Sequence, residues 1–274
     1  MTKNLQLLID NLHDGATLTA TSEALAISYT QDQRRDYVWE SDDLADQVIT
    51  GLLDQAHYAD VFAISRYNFT AAATVKLVLY NSGTEVYNSG AEPVAQFIPA
   101  GIWRAGIDGW MATYNDLLPA QMLVIDIPLV IFDRYEITLS DPANPDGFLH
   151  VSRIAIGQLY EAEVNFSNGA QIEWIENIEH TRMSGGGLYS SGDIGSRARR
   201  LKVDLDWLNQ TERLDLDVRL TGAGQGRDML VRAYPESGGA YELIHTFFAK
   251  RTSALSFTHS YHDNFNLPLV LEEC

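Results

Sequence analysis

The chain has 274 residues, and 37 acidic side chains against 19 basic ones leave a net charge of −18. Apolar residues make up 46% of the sequence, enough to bury a core and too many for a disordered chain. Because so acidic a protein repels phosphate, neither direct binding to nucleic acid nor unaided adsorption to an anionic membrane is expected.

The first half of the chain predicts a succession of strands. Residues 59–64 form a compact apolar run, and Thr74–Tyr80 is rich in β-branched and aromatic residues. Residues 129–139 place Tyr135, Ile137 and Leu139 on one face and polar residues on the other, the period-2 pattern of a half-buried strand. Turn formers fill Asp141–Gly147, so Gly147 is expected to close a turn with a positive φ.

The second half predicts fewer regular elements. Glycines and serines between Gly185 and Ser196 predict a long, flexible loop, whereas the alternation in Leu201–Trp207 predicts a strand. Asn209–Gly222 alternates like a strand, but Asn209 followed by Glu212 matches a capping box and favours a helix. No linker is evident, so a boundary between two domains is expected to be tight and to lie near residues 157–165.

Several segments follow one another in a characteristic order: ATLTATSEA at 16–24, DYVWESDD around Trp39, ADVFAISRYNFTAAATVKLVLY at 59–80 and VYNSG at 86–90. The turn DPANPDG at 141–147 and a strand that ends in Ile156-Gly157 come next and are the most specific. In these segments and their order, the chain resembles one recurring kind of tailed-phage tail protein.

The resemblance implies an all-β, or β-dominated, fold. Residues 1–157 would form a galactose-binding-like (discoidin-like) jelly-roll β-sandwich, and residues 158–274 a second β-rich domain that could include one helix. It further implies a non-enzymatic structural subunit of the tail, its tip or baseplate, which forms a ring with copies of itself and with other tail proteins. Such a subunit would be located in the virion after assembly in the host cytoplasm. The lone Cys274 and the absence of an N-terminal signal-peptide pattern fit assembly in a reducing cytoplasm. The alternative is a carbohydrate-binding module that engages a host glycan.

Four aromatic side chains are candidates for a sugar platform, because sugar sites use such rings as apolar surfaces beside polar groups. They are Tyr37, Tyr67, Trp103 and Trp110, all expected in loops or at strand ends. The competing interpretation is that these rings fill the core or contact other subunits, and Trp39 in particular is expected to be buried in a strand.

Two polar groups have both a functional and a structural interpretation. Asp141, Asn144 and Asp146 offer oxygen ligands for Ca²⁺, but an Asx-rich turn whose side chains bond the local backbone is favoured over a metal site. The basic cluster Arg197, Arg199 and Arg200 would dock on an acidic patch of a neighbouring subunit, or would simply be a solvated end of the predicted loop.

No arrangement of residues predicts catalysis or a cofactor. Acidic pairs such as Asp204 and Asp206 lie on the polar face of a predicted strand, and no sequence feature places two carboxylates across a cleft. His259 and His262 lack a third ligand, and neither a nucleophile elbow nor a phosphate-binding glycine loop is present.

Overall fold

The computed structural model describes residues 3–98, 101–114 and 122–274, and only the backbone of residues 193–196. In chain order the strands are β1 (Gln6–Leu8), β2 (Thr17–Ala20), β3 (Trp39–Glu40), β4 (Gln47–Tyr67), β5 (Thr74–Asn81), β6 (Thr84–Asn88), β7 (Glu92–Pro93), β8 (Met122–Ser140), β9 (His150–Gly157), β10 (Tyr160–Glu161), β11 (Gln171–Arg182), β12 (Leu188–Leu208), β13 (Asp228–Arg232), β14 (Thr246–Arg251), β15 (Thr258–Tyr261) and β16 (Asn264–Glu273). The helices are α1 (Gln210–Ala223), α2 (Gly239–Ile244) and two 3₁₀ turns, Leu12–Gly15 and Ile27–Gln31. The β-dominated fold class is therefore confirmed.

The chain divides into two compact units. The first, the sandwich unit, comprises Met1–Glu161 and Met229–Phe247, and the second, the ribbon unit, comprises Ala162–Asp228 and Phe248–Cys274. The domain ranges expected from the sequence, 1–157 and 158–274, place residues 229–247 in the second domain. In the structure these residues belong to the sandwich unit.

Two long strands organise the sandwich unit. The first part of β4 pairs with β2 and with the end of β8, which also pairs with β5. Beyond register shifts near Leu52 and Ala59, β4 pairs with the start of β8 and with β9. The two strands thus contribute to both layers of an antiparallel jelly-roll sandwich, and one core cluster collects side chains from both parts, such as Ile137 and Ile154. Trp39 is fully buried in this core, as expected, and donates from Nε1 to the Ser22 carbonyl at 3.1 Å.

A polar network crosses the sandwich core. The His13 ring lies 2.7 Å from the Tyr135 hydroxyl through Nδ1 and 2.8 Å from Thr30 Oγ1 through Nε2. Burial, together with the nearby Arg153 guanidinium, lowers the pKa of His13 to about 3. The imidazole is therefore neutral in the folded protein at neutral pH. Arg153 in turn forms a two-pronged ion pair with Asp14, with distances of 2.5 and 2.8 Å.

The Asp141–Gly147 turn ends as predicted, because Gly147 has φ = +83°. Replacing Gly147 by alanine is expected to destabilise the protein by about 1 kcal/mol, since only glycine adopts this conformation without strain. No heavy atom lies within 4 Å of the added Cβ, so a steric clash contributes nothing. Thermal unfolding checks this, with Gly15→Ala as the control, because residue 15 has equal space and no left-handed φ. An unchanged melting temperature for Gly147→Ala would show that alanine adopts the backbone conformation of residue 147 without strain, and would refute this account.

The ribbon unit corrects one prediction and confirms another. Residues 185–196 are not a long loop, because β12 begins at Leu188 and pairs with β11 from Arg182 back to Gln171. The tight turn at 183–187 takes its positive φ from Gly186, and the pairing of β11 with β12 is interrupted a second time, at 193–196. The helix favoured after Asn209 is confirmed, since Asn209 and Glu212 form the complete capping box at the start of α1.

Candidate functional site

An exposed apolar loop projects from the sandwich unit. Residues 96–98 and 101–114, here called the Trp110 loop, are joined at their base by an antiparallel bridge between Phe97 and Thr113. Trp110 is 88% exposed, which is the highest value among the large apolar side chains described. Four further large apolar side chains of the loop are also exposed: Phe97, Ile102, Ile107 and Met111. Five exposed large apolar side chains in one short loop point to a binding site more than scattered single ones would.

Internal hydrogen bonds brace the Trp110 loop. The Arg104 backbone N–H and its side-chain Nε and Nη2 all donate to the Asp108 carboxylate, at 2.7, 3.1 and 2.8 Å. The Trp103 indole donates to the Gly109 carbonyl at 2.8 Å, immediately before Trp110. The loop is therefore pre-organised, and a ligand that binds there loses little affinity to ordering the protein.

Arg104 and Asp108 form an ion pair within the loop, at 2.8 Å. Hydrogen bonds from Arg104 lower the pKa of the Asp108 carboxyl, which therefore stays ionised in mildly acidic solution. The Arg104 side chain is more than half exposed and keeps N–H donors outside its two contacts with Asp108. An apolar ring and a cationic hydrogen-bond donor thus occur within seven residues of each other.

The base of the loop is anchored by the segment that returns to the sandwich unit. Tyr114 is buried, and its backbone N–H donates to the Gln96 carbonyl at 2.9 Å. A Cβ atom on residue 239 would lie 2.9 Å from Tyr114 Cζ, and Gly239 has φ = +61°, so both space and backbone require glycine there. Residues 229–247 therefore help to hold the candidate site in place.

The structure brings together two of the four predicted sugar-platform residues. Trp103 and Trp110 share the Trp110 loop. Tyr37 lies in a different loop, under the Arg34 guanidinium at 3.7 Å from its ring centre. Tyr67 is only 4% exposed and stacks on Phe69, so its ring faces the core. The exposed Ile102, Ile107 and Met111 were not predicted, although the apolar residues interleaved with glycines in 101–111 were a usable signal.

The oxygen-rich turn binds its own chain. The Asp141 carboxylate accepts from the Thr70 backbone and hydroxyl at 2.7 and 2.8 Å, and Asn144 donates to the Asn68 carbonyl at 2.9 Å. Asp146 accepts from the Asn68 side chain at 3.0 Å. The local bond of the predicted Asx turn is that of the Asp146 N–H to Asn144 Oδ1, at 3.0 Å, whereas the other bonds tie the turn to residues distant in sequence. Within the described ranges no group of three His, Cys, Asp or Glu side chains is arranged to hold a metal ion.

Each arginine of the basic cluster has a carboxylate partner within the ribbon unit. Arg199 is 2% exposed and pairs with Glu273 at 2.7 Å. Arg200 pairs with Glu272 at 2.9 Å, and Arg197 with Glu176 at 2.7 Å. A contact of Arg197 or Arg200 with a neighbouring subunit stays a prediction, whereas the Arg199 guanidinium is already enclosed.

The comparisons with known proteins find similarity of structure but not of sequence family. No protein-family model matches the chain, and neither does any curated protein. The family 32 carbohydrate-binding module from C. perfringens NanJ, solved with galactose, is 15% identical, with a TM-score of 0.39 over 57% of this chain and 99% of the module. The lectin domain of lectinolysin, complexed with Lewis B antigen, is 12% identical, with a TM-score of 0.38 over 54% of this chain and 96% of the domain. Chitosan-binding module 1 from a Paenibacillus chitosanase/glucanase is 16% identical, with a TM-score of 0.36 over 54% and 98% of the two chains.

No helix in the described part of the chain is long and apolar enough to cross a bilayer.

Proposed function

We propose that the protein is a non-catalytic carbohydrate-binding protein, and that the Trp110 loop is its binding site. The observation that carries the proposal is the near-complete exposure of Trp110 on a loop braced by the Arg104–Asp108 and Trp103–Gly109 contacts. An exposed indole on a rigid loop leaves an apolar surface in water, which a ligand would cover.

The chemistry of the loop suits a pyranose. One face of a hexose such as galactose carries mainly C–H groups, which pack on an indole ring, while its hydroxyls accept hydrogen bonds from a group such as Arg104. Because Asp108 holds Arg104 in place, the guanidinium loses little freedom when a sugar binds. The flanking Ile102, Ile107 and Met111 would extend the contact to an oligosaccharide or to the aglycone of a glycolipid or glycoprotein.

Trp110→Ala is expected to weaken glycan binding by at least about ten-fold, because the ring supplies most of the apolar contact. The full-length protein is first screened against an immobilised glycan panel, with galactose-terminated glycans included, and the best ligand is then measured by calorimetry. Trp207→Ala is the matched control, since Trp207 is an exposed tryptophan of the other unit. No glycan bound by the wild-type protein, or equal losses in the two variants, would contradict the proposal.

A second function, that of a structural subunit of a phage tail, tail tip or baseplate, is also proposed. It rests on the resemblance of the sequence and on one feature of the ribbon unit: none of the residues from 171 to 192 is buried. An uncovered two-stranded ribbon is marginal in water, which favours a protein that is completed by neighbours in an assembly. Antibody labelling of purified virions tests this function, and particles that lack the protein would contradict it.

A further inference from the structure

The strands β11 and β12 form a two-stranded ribbon that extends beyond the rest of their sheet. On one side, β12 pairs with β16 only from Arg200 onwards, although its pairing with β11 begins at Leu188. Among the described residues, no strand pairs with the outer edge of β11. Residues 178–182 and 188–192 therefore present two open edges as well as two uncovered faces, and such edges add strands from other chains readily.

The ribbon is a built feature and not a frayed end. The pairing register shifts between Glu176 and Ile178, and Gly192 is the partner of Ile178 at this shift. Gly192 has φ = +130°, and a Cβ there would lie 2.3 Å from the Asn177 carbonyl oxygen, so only glycine fits. Bulges of this kind re-aim a strand in a defined direction, which an unspecific loop would not need.

Composition makes the ribbon unlike the rest of the chain. Residues 171–200 contain four acidic side chains and four arginines, so the segment is neutral while the remainder carries the full net charge of −18. Its exposed large apolar side chains are Trp174, Met183, Leu188 and Tyr189. Aromatic residues, Met and Arg are the residue types enriched in protein interfaces.

The distribution of charge favours a second copy of this chain over a basic protein as the partner of the ribbon. A basic partner would be attracted to the acidic surface of the remainder and would gain nothing from a neutral ribbon. Two copies of this chain repel each other through their acidic surfaces, and the ribbon is a large segment at which they approach without that repulsion. We infer that the β11–β12 ribbon is a self-association surface, on which a second copy of this chain adds its own ribbon edge.

The inference rests on the structural function proposed above, but separate experiments can refute the inference and that function. Self-association is measured on the isolated full chain, whereas the structural function is measured on virions. A monomeric chain that is nevertheless present in virions would overturn only the inference.

Sedimentation equilibrium of the full chain tests the inference. We expect concentration-dependent dimers or larger species below about 100 µM, a range that covers weak specific interfaces. Association should tighten when NaCl is raised from 50 to 300 mM, because salt screens the repulsion between acidic copies. The double variant Leu188→Glu/Tyr189→Glu should weaken association at least about ten-fold, since it puts charge on the contact.

The double variant Leu214→Glu/Val218→Glu is the matched control. These two α1 residues are 64% and 66% exposed, against 60% and 55% for Leu188 and Tyr189, and the change adds the same two charges to the same unit. Weakened association of the ribbon variant, with this control equal to the wild type, supports the inference, and a ribbon variant that associates like the wild type overturns it. Equal weakening of both variants, or a wild-type chain that stays monomeric throughout the range, overturns the inference. The ribbon would then be a surface for a different protein.

Discussion

Gly51→Ala is expected to destabilise the sandwich unit by about 3 kcal/mol or more, because the substitution overpacks a closed core. The Tyr135 ring lies directly over Gly51, and an added Cβ would be 2.0 Å from its Cζ atom and 2.2 Å from its hydroxyl oxygen. The ring has no room to retreat, since Tyr135 is fully buried and its hydroxyl is held by His13. Urea unfolding of the variant and the wild type measures the difference.

A double variant separates the clash from other effects of alanine. Tyr135→Leu removes the ring, so adding Gly51→Ala to it should cost much less than adding Gly51→Ala to the wild type. The two changes should therefore couple by more than about 1 kcal/mol, as expected for residues in contact. Gly15→Ala serves as the control at an open position. A Gly51→Ala protein within about 0.5 kcal/mol of the wild type, the range of ordinary surface changes, would refute the contact.

Acid is expected to destabilise the protein through His13, by on the order of 4 kcal/mol between pH 7 and pH 3. The folded-state pKa of about 3 lies below the ordinary value of 6.5, because burial first, and the Arg153 charge second, disfavour the imidazolium. Since the unfolded chain binds the proton more readily, this contribution is complete above about pH 6.5 and is lost as the pH falls towards 3.

The directions of the hydrogen bonds around His13 also favour a neutral imidazole in the folded protein. The Thr30 hydroxyl donates to the Ile27 carbonyl at 2.7 Å, so Thr30 Oγ1 accepts from His13 Nε2–H. His13 Nδ1 is then the acceptor of the Tyr135 hydroxyl proton, and protonating Nδ1 would set two donors against each other in the core. His13→Gln should be less stable at pH 7 but should lose less stability between pH 7 and pH 4. Identical pH dependence of the variant and the wild type in urea unfolding would contradict this account.

Local features of the sequence predicted local features of the structure. The Asn209–Glu212 pair determines the start of α1 because both partners of the capping box lie within one turn. Gly147 was predictable because turn chemistry depends on adjacent residues. The strand Thr74–Tyr80 lies within β5, since its β-branched and aromatic residues suit a buried strand on any register.

Features that depend on distant parts of the chain were not predictable. The return of residues 229–247 to the sandwich unit, and the close approach of Gly51 and Tyr135, join residues far apart in sequence. The ribbon was mistaken for a loop because its glycines suggested flexibility, whereas they form a turn and a bulge within paired strands. The candidate site was half predicted: Trp103 and Trp110 were named, but only the structure separates them from the buried Tyr67.

The indole N–H resonances of the five tryptophans give the most direct test of carbohydrate binding at the Trp110 loop. Each is assigned by a Trp→Phe variant, and the full chain is titrated with its best glycan in a ¹⁵N correlation experiment. We expect the resonance of Trp110 to shift most, that of Trp103 to shift less, and those of the buried Trp39 and of Trp174 and Trp207 in the ribbon unit to stay in place. A titration that shifts Trp174 or Trp207 while Trp110 stays unchanged would contradict the proposed site, and no shift of any indole would contradict the proposed function.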